Sequence, residues 1–279
     1  MARSVGTALS HLLLMPASTA ARTPLLFAVL LAAACLAAPA ARAQEAQDGP
    51  SYQKEFTYGI NLNSNAGLIG GVAVRSSHLL NNDWSRFWML EGVEVKNRKE
   101  QRAQTYVGGV YVLGKSNYLF VLRPSVGLQR VIFRKAAESG VQVNGLVGAG
   151  PSLGLLMPYY IYYDYTPAPD PSNPSPREDI RSEQYDPGKH SDPNRIYDRA
   201  PLFTGVNELK PNIGAHLRGA FTFEYGRYRD AVAGLEAGVL LEAYTKRLTV
   251  LRALNTPDRQ INDNVFSSVY VTLYIGQRK

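Results

Sequence analysis

The sequence predicts an all-β fold, an antiparallel transmembrane β-barrel of ten strands, with eight strands as the alternative. Three observations lead to this prediction. A secretory leader opens the chain, most of the remainder alternates apolar and polar residues with a period of two, and aromatic residues gather near the ends of the alternating segments. The length of 279 residues permits one large domain or two small ones.

Residues 1–43 have the order of a secretory signal peptide. Basic residues without acidic neighbours precede an apolar stretch at 25–38, and Ala-Arg-Ala at 41–43 is a small-x-small cleavage site. The apolar stretch is shorter than the roughly 20 residues of a spanning helix, which disfavours the alternative of a retained membrane anchor. We therefore expect cleavage after Ala43 and a mature chain that begins at Gln44.

The single cysteine, Cys35, lies inside this leader. Lipid attachment there is an alternative, disfavoured because Ala32 stands where a larger aliphatic residue is usual. Cleavage after Ala43 leaves a mature chain without disulfide or thiol chemistry. The net charge of +7 includes basic residues of the leader, and the others are scattered among acidic residues, so no nucleic-acid partner is expected.

A polar linker is predicted at 44–54 and the barrel at 55–279. The period-two alternation marks strands because successive side chains of a strand point to opposite faces. The clearest alternating segments are 55–63, 118–132, 213–225, 231–244 and 265–275. Weaker versions occur at 67–77, 86–96 and 103–113. Six charged or polar residues on the polar faces are the predicted lumen-lining set: Arg123, His216, Arg218, Glu224, Glu236 and Glu242.

A soluble β-sandwich or lipocalin-like barrel is the competing fold, with its apolar faces turned inward. Strands of roughly 9–15 residues favour the membrane barrel, because about 9–11 residues cross a tilted bilayer and soluble strands average five or six. Charges of both signs at mid-strand suit an enclosed lumen. Tyr and Trp near strand ends are typical of a membrane–water interface.

The connections set the predicted topology. Tight turns at 114–117 and 226–230 are expected on the periplasmic side. The long insert at 164–210 carries eight prolines, so we expect it outside the cell and without strands or helices. A break at Gly150-Pro151 divides 141–163 into two strands, which gives the even number of ten and places both termini in the periplasm.

Three stretches resemble uncharacterised, porin-like outer-membrane β-barrel proteins of the Bacteroidota: LRPSVGLQR at 122–130, GAGPSLGLL at 148–156 and FEYG at 223–226. The resemblance implies the fold and an outer-membrane location, and it carries no activity. Barrel-assembly signals often end in an aromatic residue, whereas Tyr274 lies five residues before the end. A short basic tail is therefore expected after the last strand.

Ser76 and His78 share a strand face, and Glu91 or Glu94 could follow on the neighbouring strand, so these residues are a candidate hydrolytic site. No lipase or protease signature surrounds them, so we expect an ordinary polar rim.

A metal site or proton relay is conceivable around His216 and the charged residues of its face. Salt bridges that fill the lumen are the favoured reading, because a narrow barrel is largely filled by side chains. The glycines at 145–150 lack the Lys-Ser/Thr and the helix of a phosphate loop. The acidic residues Asp186, Asp192 and Asp198 lack the spacing of a calcium loop. No cofactor or metal is expected.

The sequence thus predicts an outer-membrane barrel with a structural or surface-binding role and no catalytic site. A narrow solute channel and an outer-membrane lipid hydrolase are the alternatives. Outer-membrane lipid and the barrel-assembly machinery are the expected partners, and the external ligand stays open.

Overall fold

The computed structural model describes residues 52–105, 107–134, 140–225 and 231–279. The predicted signal peptide, the predicted linker as far as residue 51, and the turn predicted at 226–230 lie outside the described residues. The strands are β1 (Lys54–Asn63), β2 (Gly67–Leu79), β3 (Trp84–Val95), β4 (Gln101–Gln104), β5 (Val110–Leu113), β6 (Asn117–Phe133), β7 (Val141–Pro158), β8 (Tyr160–Asp164), β9 (Ile180–Gln184), β10 (Ile196–Arg199), β11 (Lys210–Tyr225), β12 (Ala231–Tyr244) and β13 (Val265–Arg278).

Eight of these strands close into an antiparallel barrel in the order β1-β13-β12-β11-β7-β6-β3-β2. Each barrel strand pairs with the next barrel strand along the chain, and β13 closes the circle on β1. The prediction of an antiparallel barrel is confirmed, with the alternative number of eight strands rather than ten. Strand β13 also runs to Arg278, so the basic tail expected after the last strand is part of that strand.

The predicted break at Gly150-Pro151 is wrong, because β7 continues through Pro151. Its register with β6 is the same on both sides, since Leu122 pairs with Leu153 and Val126 with Ala149. Pro124 therefore stands opposite Pro151. Neither proline can donate to the ladder, and placing them face to face confines the missing hydrogen bonds to one point of the wall.

Both ends of the barrel chain lie at one end of the barrel, where the connection between β2 and β3 has four residues. The opposite end carries the long connections 96–116, 159–209 and 245–264, which together form what we call the cap. The turn at 114–117 belongs to the cap end, so its predicted place beside the termini is wrong. The strand predicted at 103–113 is the β4–β5 hairpin of the cap and stands outside the barrel ladder.

The proline-rich insert is folded, and its prediction as a segment without strands is wrong. Strands β8, β9 and β10 form a small sheet with β8 in the centre. Its prolines lie between the strands rather than in them, so the alternating pieces that remain are free to pair. A 3-10 turn at Pro193–Arg195 precedes β10, and another at Val206–Glu208 leads into β11.

The barrel turns its apolar side chains outward. The outward residues Val126, Ile213 and Val72 are 68%, 65% and 64% exposed, while the alternate positions are buried and largely polar. A water-soluble barrel has the opposite arrangement, with its apolar faces packed inside. Among the described residues, no helix has the length and apolar character that a membrane crossing requires.

Candidate functional site

The six residues predicted from the polar faces are all buried inside the barrel. Strand alternation explains this, because each occupies the inward position of β6, β11 or β12. The interior also holds charged residues that the sequence reading left out of that set: Glu55, Arg75, Glu91 and Arg278. Each of them stands at an alternate position of its strand, which is the signal that could have found it.

The centre of the barrel is occupied by a crossed pair of arginines and glutamates. Arg123 donates from Nε and Nη2 to the two carboxylate oxygens of Glu242 at 2.9 and 2.8 Å, and from Nη1 to Glu91 at 3.1 Å. Glu91 also accepts from Arg218. Arg123 and Glu91 lie opposite each other on the paired strands β6 and β3, whereas the Arg123–Glu242 and Arg218–Glu91 bonds join strands that are separated by two others in the wall. The side chains of these two bonds therefore meet across the lumen and fill it.

Two further ion-pair clusters continue this filling toward the termini. Arg75 Nη1 lies 2.6 Å from Glu236 Oε2, and the hydroxyl of Tyr270 donates to Glu236 Oε1 at 2.8 Å. Arg278 binds Glu224 and lies 2.9 Å from Glu55 Oε2. Four arginines thus face five glutamates inside the barrel, and every one of these arginines contacts a carboxylate.

The histidine of the interior is held between two serines. Ser125 Oγ lies 2.8 Å from Nε2 of His216, and Ser152 Oγ lies 3.1 Å from its Nδ1. Both serines and the histidine are at most 4% exposed. A hydrolase needs a nucleophile that its substrate can reach, and a hydroxyl enclosed by paired charges does not meet this requirement.

The catalytic grouping considered at Ser76 and His78 is not assembled. His78 lies at the end of β2 beside the termini and pairs with Arg86 and Lys54, on the opposite wall face from the interior residue Glu91. Glu94 is outward-facing near the cap, 3.8 Å from Lys96. The two carboxylates are therefore separated from His78 by the wall and by the length of the strand.

An apolar cluster closes the interior at the cap end. Leu119, Val121 and Leu156 from the barrel pack with Leu248 and Val250, which the connection 245–264 folds inward. Lower in the lumen, a cavity beside Arg75, Glu236 and Tyr274 has a volume of about 10 Å³, which is near the minimum for one water molecule. The described interior is occupied by apolar packing at the cap end and by ion pairs below it.

The cap has its own core of aromatic residues. Tyr111, Tyr159, Tyr163 and Tyr185 are buried with Ile161 and Ile196, and they tie the β4–β5 hairpin to the insert. Burial raises the pKa values of Tyr159 and Tyr185 to about 12. A surface loop without such a core would be free to move, so this core gives the outer surface a defined shape.

His190 is buried at the edge of the cap core, with its ring centroid 4.8 Å from that of Tyr163. Its Nδ1 accepts from the backbone N–H of Asp186 at 3.1 Å, so the proton of the neutral ring belongs on Nε2. Burial lowers the pKa of His190, although Glu183, 3.6 Å from Nε2, acts in the other direction. The ring is therefore a neutral structural element of the cap.

Charge is unevenly divided over the cap. The connections 96–116 and 245–264 contain nine basic and three acidic residues, whereas 159–209 contains five basic and nine acidic ones. The two basic connections touch, because Lys99 Nζ donates to the carbonyl of Gln260 at 2.8 Å and Asn97 Nδ2 donates to the carbonyl of Ile261 at 2.9 Å. Together they form one cationic face.

The described residues contain no group of three or more His, Cys, Asp or Glu that could hold a metal ion. The acidic residues of the insert have local roles instead. Asp192 accepts from the backbone N–H of Asn194 at 3.0 Å, and Asp186 accepts from that of Gly188 at 2.9 Å. Both carboxylates stabilise turns of the cap.

No family model matches the chain, and no curated protein matches it. Two solved structures of Ail, the attachment invasion locus protein of Yersinia pestis, are similar to it. One, in complex with the heparin analogue sucrose octasulfate, is 11% identical with a TM-score of 0.33; the other is 12% identical with a TM-score of 0.35. Each covers 82% of this chain and 99% of Ail. Neisserial surface protein A is 10% identical with a TM-score of 0.34, covering 82% of this chain and 97% of its own. The function must be argued from this chain's own residues.

Proposed function

We propose that the chain is an integral outer-membrane protein of a Gram-negative bacterium, anchored by a sealed barrel and active through surface binding at its cap. The observation that carries this is the inversion of the barrel, with exposed apolar residues outside and paired arginines and glutamates inside. Acyl chains are the solvent that such an outer surface requires. Affiliation with the Bacteroidota stays a prediction.

A sealed interior disfavours the solute channel, and the separated His78 disfavours the lipid hydrolase. The cap is therefore the part of the chain to which we assign binding, because its aromatic core holds a large surface in a fixed shape. The expectation of a surface-binding role therefore attaches to the connections 96–116, 159–209 and 245–264.

The cationic face of the cap suits an anionic polymer. Arg98, Lys99 and Arg247 donate to backbone carbonyl groups, and no carboxylate of the described residues lies within ion-pair distance of them. Their charge is consequently not neutralised within the cap. Anionic groups spaced along a polymer can contact several such cations at once, and salt weakens these contacts.

Binding of dextran sulfate to the purified protein in vesicles tests this role, with neutral dextran as the blank. The variant Arg98→Gln/Lys99→Gln/Arg247→Gln should lose most of the binding. The control Arg177→Gln/Arg195→Gln removes two cations from the acidic insert and should keep the binding. Equal loss in both variants, or binding that salt leaves unchanged, would contradict a defined cationic face.

A further inference from the structure

The last part of the insert leaves an exposed apolar strip just before the chain re-enters the barrel. Leu202, Phe203, Val206 and Leu209 are 50%, 56%, 44% and 36% exposed. Val206 and Leu209 are three residues apart at the 3-10 turn Val206–Glu208, so these two share one side of it. We call residues 202–209 the foot.

The foot lies against the outer wall of the barrel rather than above its mouth. The ring of Phe203 stacks on Phe120 with centroids 6.0 Å apart, and Phe120 occupies an outward position of β6. A Cβ atom on Gly205 would lie 2.8 Å from the carbonyl oxygen of Pro158, so this turn packs closely on the end of β7. The foot therefore covers the wall formed by β6 and β7.

Backbone geometry shows that this placement is specifically held. Phe203 has a φ of 74°, in the left-handed region that a bulky residue rarely adopts. Such a conformation persists when the surrounding contacts impose it. Here Pro201 accepts from the N–H and the hydroxyl of Thr204, and the carbonyl of Phe203 accepts from Val206 N–H. The turn fixes the exposed phenyl ring on the wall.

The height of the foot coincides with the expected edge of the membrane. Toward the termini, the outward residue Arg130 of β6 stacks on Trp84 at 5.5 Å, a pairing typical of the interface. Phe120 lies ten residues before Arg130 on β6, toward the cap. At about 3.3 Å per residue and a tilt of about 40°, these ten residues rise about 25 Å, the height of the apolar band of such barrels.

The wall immediately below the foot is apolar and exposed. Phe120 pairs with Leu155, and the next outward row toward the termini contains Leu122, Leu153 and Ile213, which are 41%, 36% and 65% exposed. The exposed side of the foot continues this surface one row higher, without a polar row between them.

We propose that the foot inserts its apolar side chains into the outer-leaflet lipid and anchors the cap to the membrane surface. The inference rests on the proposed outer-membrane location, and lipid is the occupant because the foot is continuous with the lipid-facing wall at the edge of the apolar band. The insert then acts as a lipid-supported arm, which sets the orientation of the acidic side of the cap.

Spin labelling tests the proposal in vesicles of phosphatidylethanolamine and phosphatidylglycerol. In a Cys35→Ala background, single cysteines are introduced by Phe203→Cys or Val206→Cys and labelled. The reference Val126→Cys reports the middle of the barrel wall, and Ser175→Cys reports the exposed loop between β8 and β9. Accessibility to dissolved oxygen, which concentrates in lipid, is compared with accessibility to a water-soluble nickel chelate.

The foot labels should show an oxygen-to-nickel ratio several-fold above that at position 175 and approaching that at position 126. If the ratio at the foot equals that at position 175 while position 126 gives a lipid-like ratio, the proposed insertion of the foot is contradicted and the outer-membrane proposal still holds. An aqueous ratio at 126 as well would contradict the membrane location itself. The change Phe203→Cys removes the ring that stacks on Phe120. The Val206 label leaves this stack intact and therefore serves as a control.

Discussion

Removal of Arg123 should cost a large part of the stability of the barrel. This guanidinium is 2% exposed and provides both of the short bonds from arginine to Glu242. Arg123→Met leaves the Glu242 carboxylate buried without its cation, whereas Glu91 retains Arg218. Breaking one side of a buried ion pair costs about 3–5 kcal/mol, because the remaining charge has lost both water and partner.

The double variant Arg123→Met/Glu242→Met removes both charges and should return to within about 1 kcal/mol of the parent, since apolar replacement of a whole buried pair is often neutral. Urea unfolding in detergent micelles, followed by tryptophan fluorescence and by heat-modifiable gel mobility, measures both. At a slope of about 3 kcal/mol per molar, the single variant should shift the midpoint down by about 1–2 M. A single variant as stable as the parent, or a double variant as unstable as the single, would refute the reasoning.

Three further predictions concern the lumen, the cap and the wall. The purified barrel should give no ohmic steps in planar bilayers, and stable conductance would show that the seal of ion pairs is open. The cap should be stable above about pH 6.5 and lose order as the pH falls through the lowered pKa of His190, because protonation of Nδ1 removes the acceptor of the Asp186 N–H. Near-ultraviolet circular dichroism should show this loss. The variant His190→Asn keeps an acceptor without titrating, so its signal should not depend on pH in this range. Gly127→Ala should destabilise the wall by about 1–3 kcal/mol, because its Cβ would lie 2.2 Å from the carbonyl oxygen of Val147, whereas the same change at Gly219 meets open space and should be silent in urea unfolding.

The period-two alternation of the strands predicted the fold, and it also indicated which side chains share the interior. It could not indicate which ones meet. Arg123 and Glu242 are 119 residues apart and lie on strands separated by two others, so their contact follows from barrel closure. Arg278 was assigned to a tail because the last aromatic residue, Tyr274, lies five residues before the end of the chain. Its ion pairs with Glu55 and Glu224 hold it inside the barrel as part of β13, and the sequence alone does not show these partners.

Prolines produced the two main errors of the sequence reading. A single proline in a strand predicts a break, but Pro151 stands opposite Pro124, and the pairing of strands that places them together is not visible along the chain. Eight prolines in the insert predicted an unstructured loop, yet they lie between short strands. The tyrosines of the insert, read as interfacial residues, instead form the core of the cap.

The central claim is that the outward apolar rows of the barrel lie in lipid while its charges are enclosed. Trp88 tests it most directly, because it is an outward residue of β3 with 47% exposure. In a Trp84→Phe background, its fluorescence in vesicles should be quenched by brominated acyl chains and resist aqueous acrylamide. Quenching by acrylamide with no effect of the brominated lipid would contradict the account.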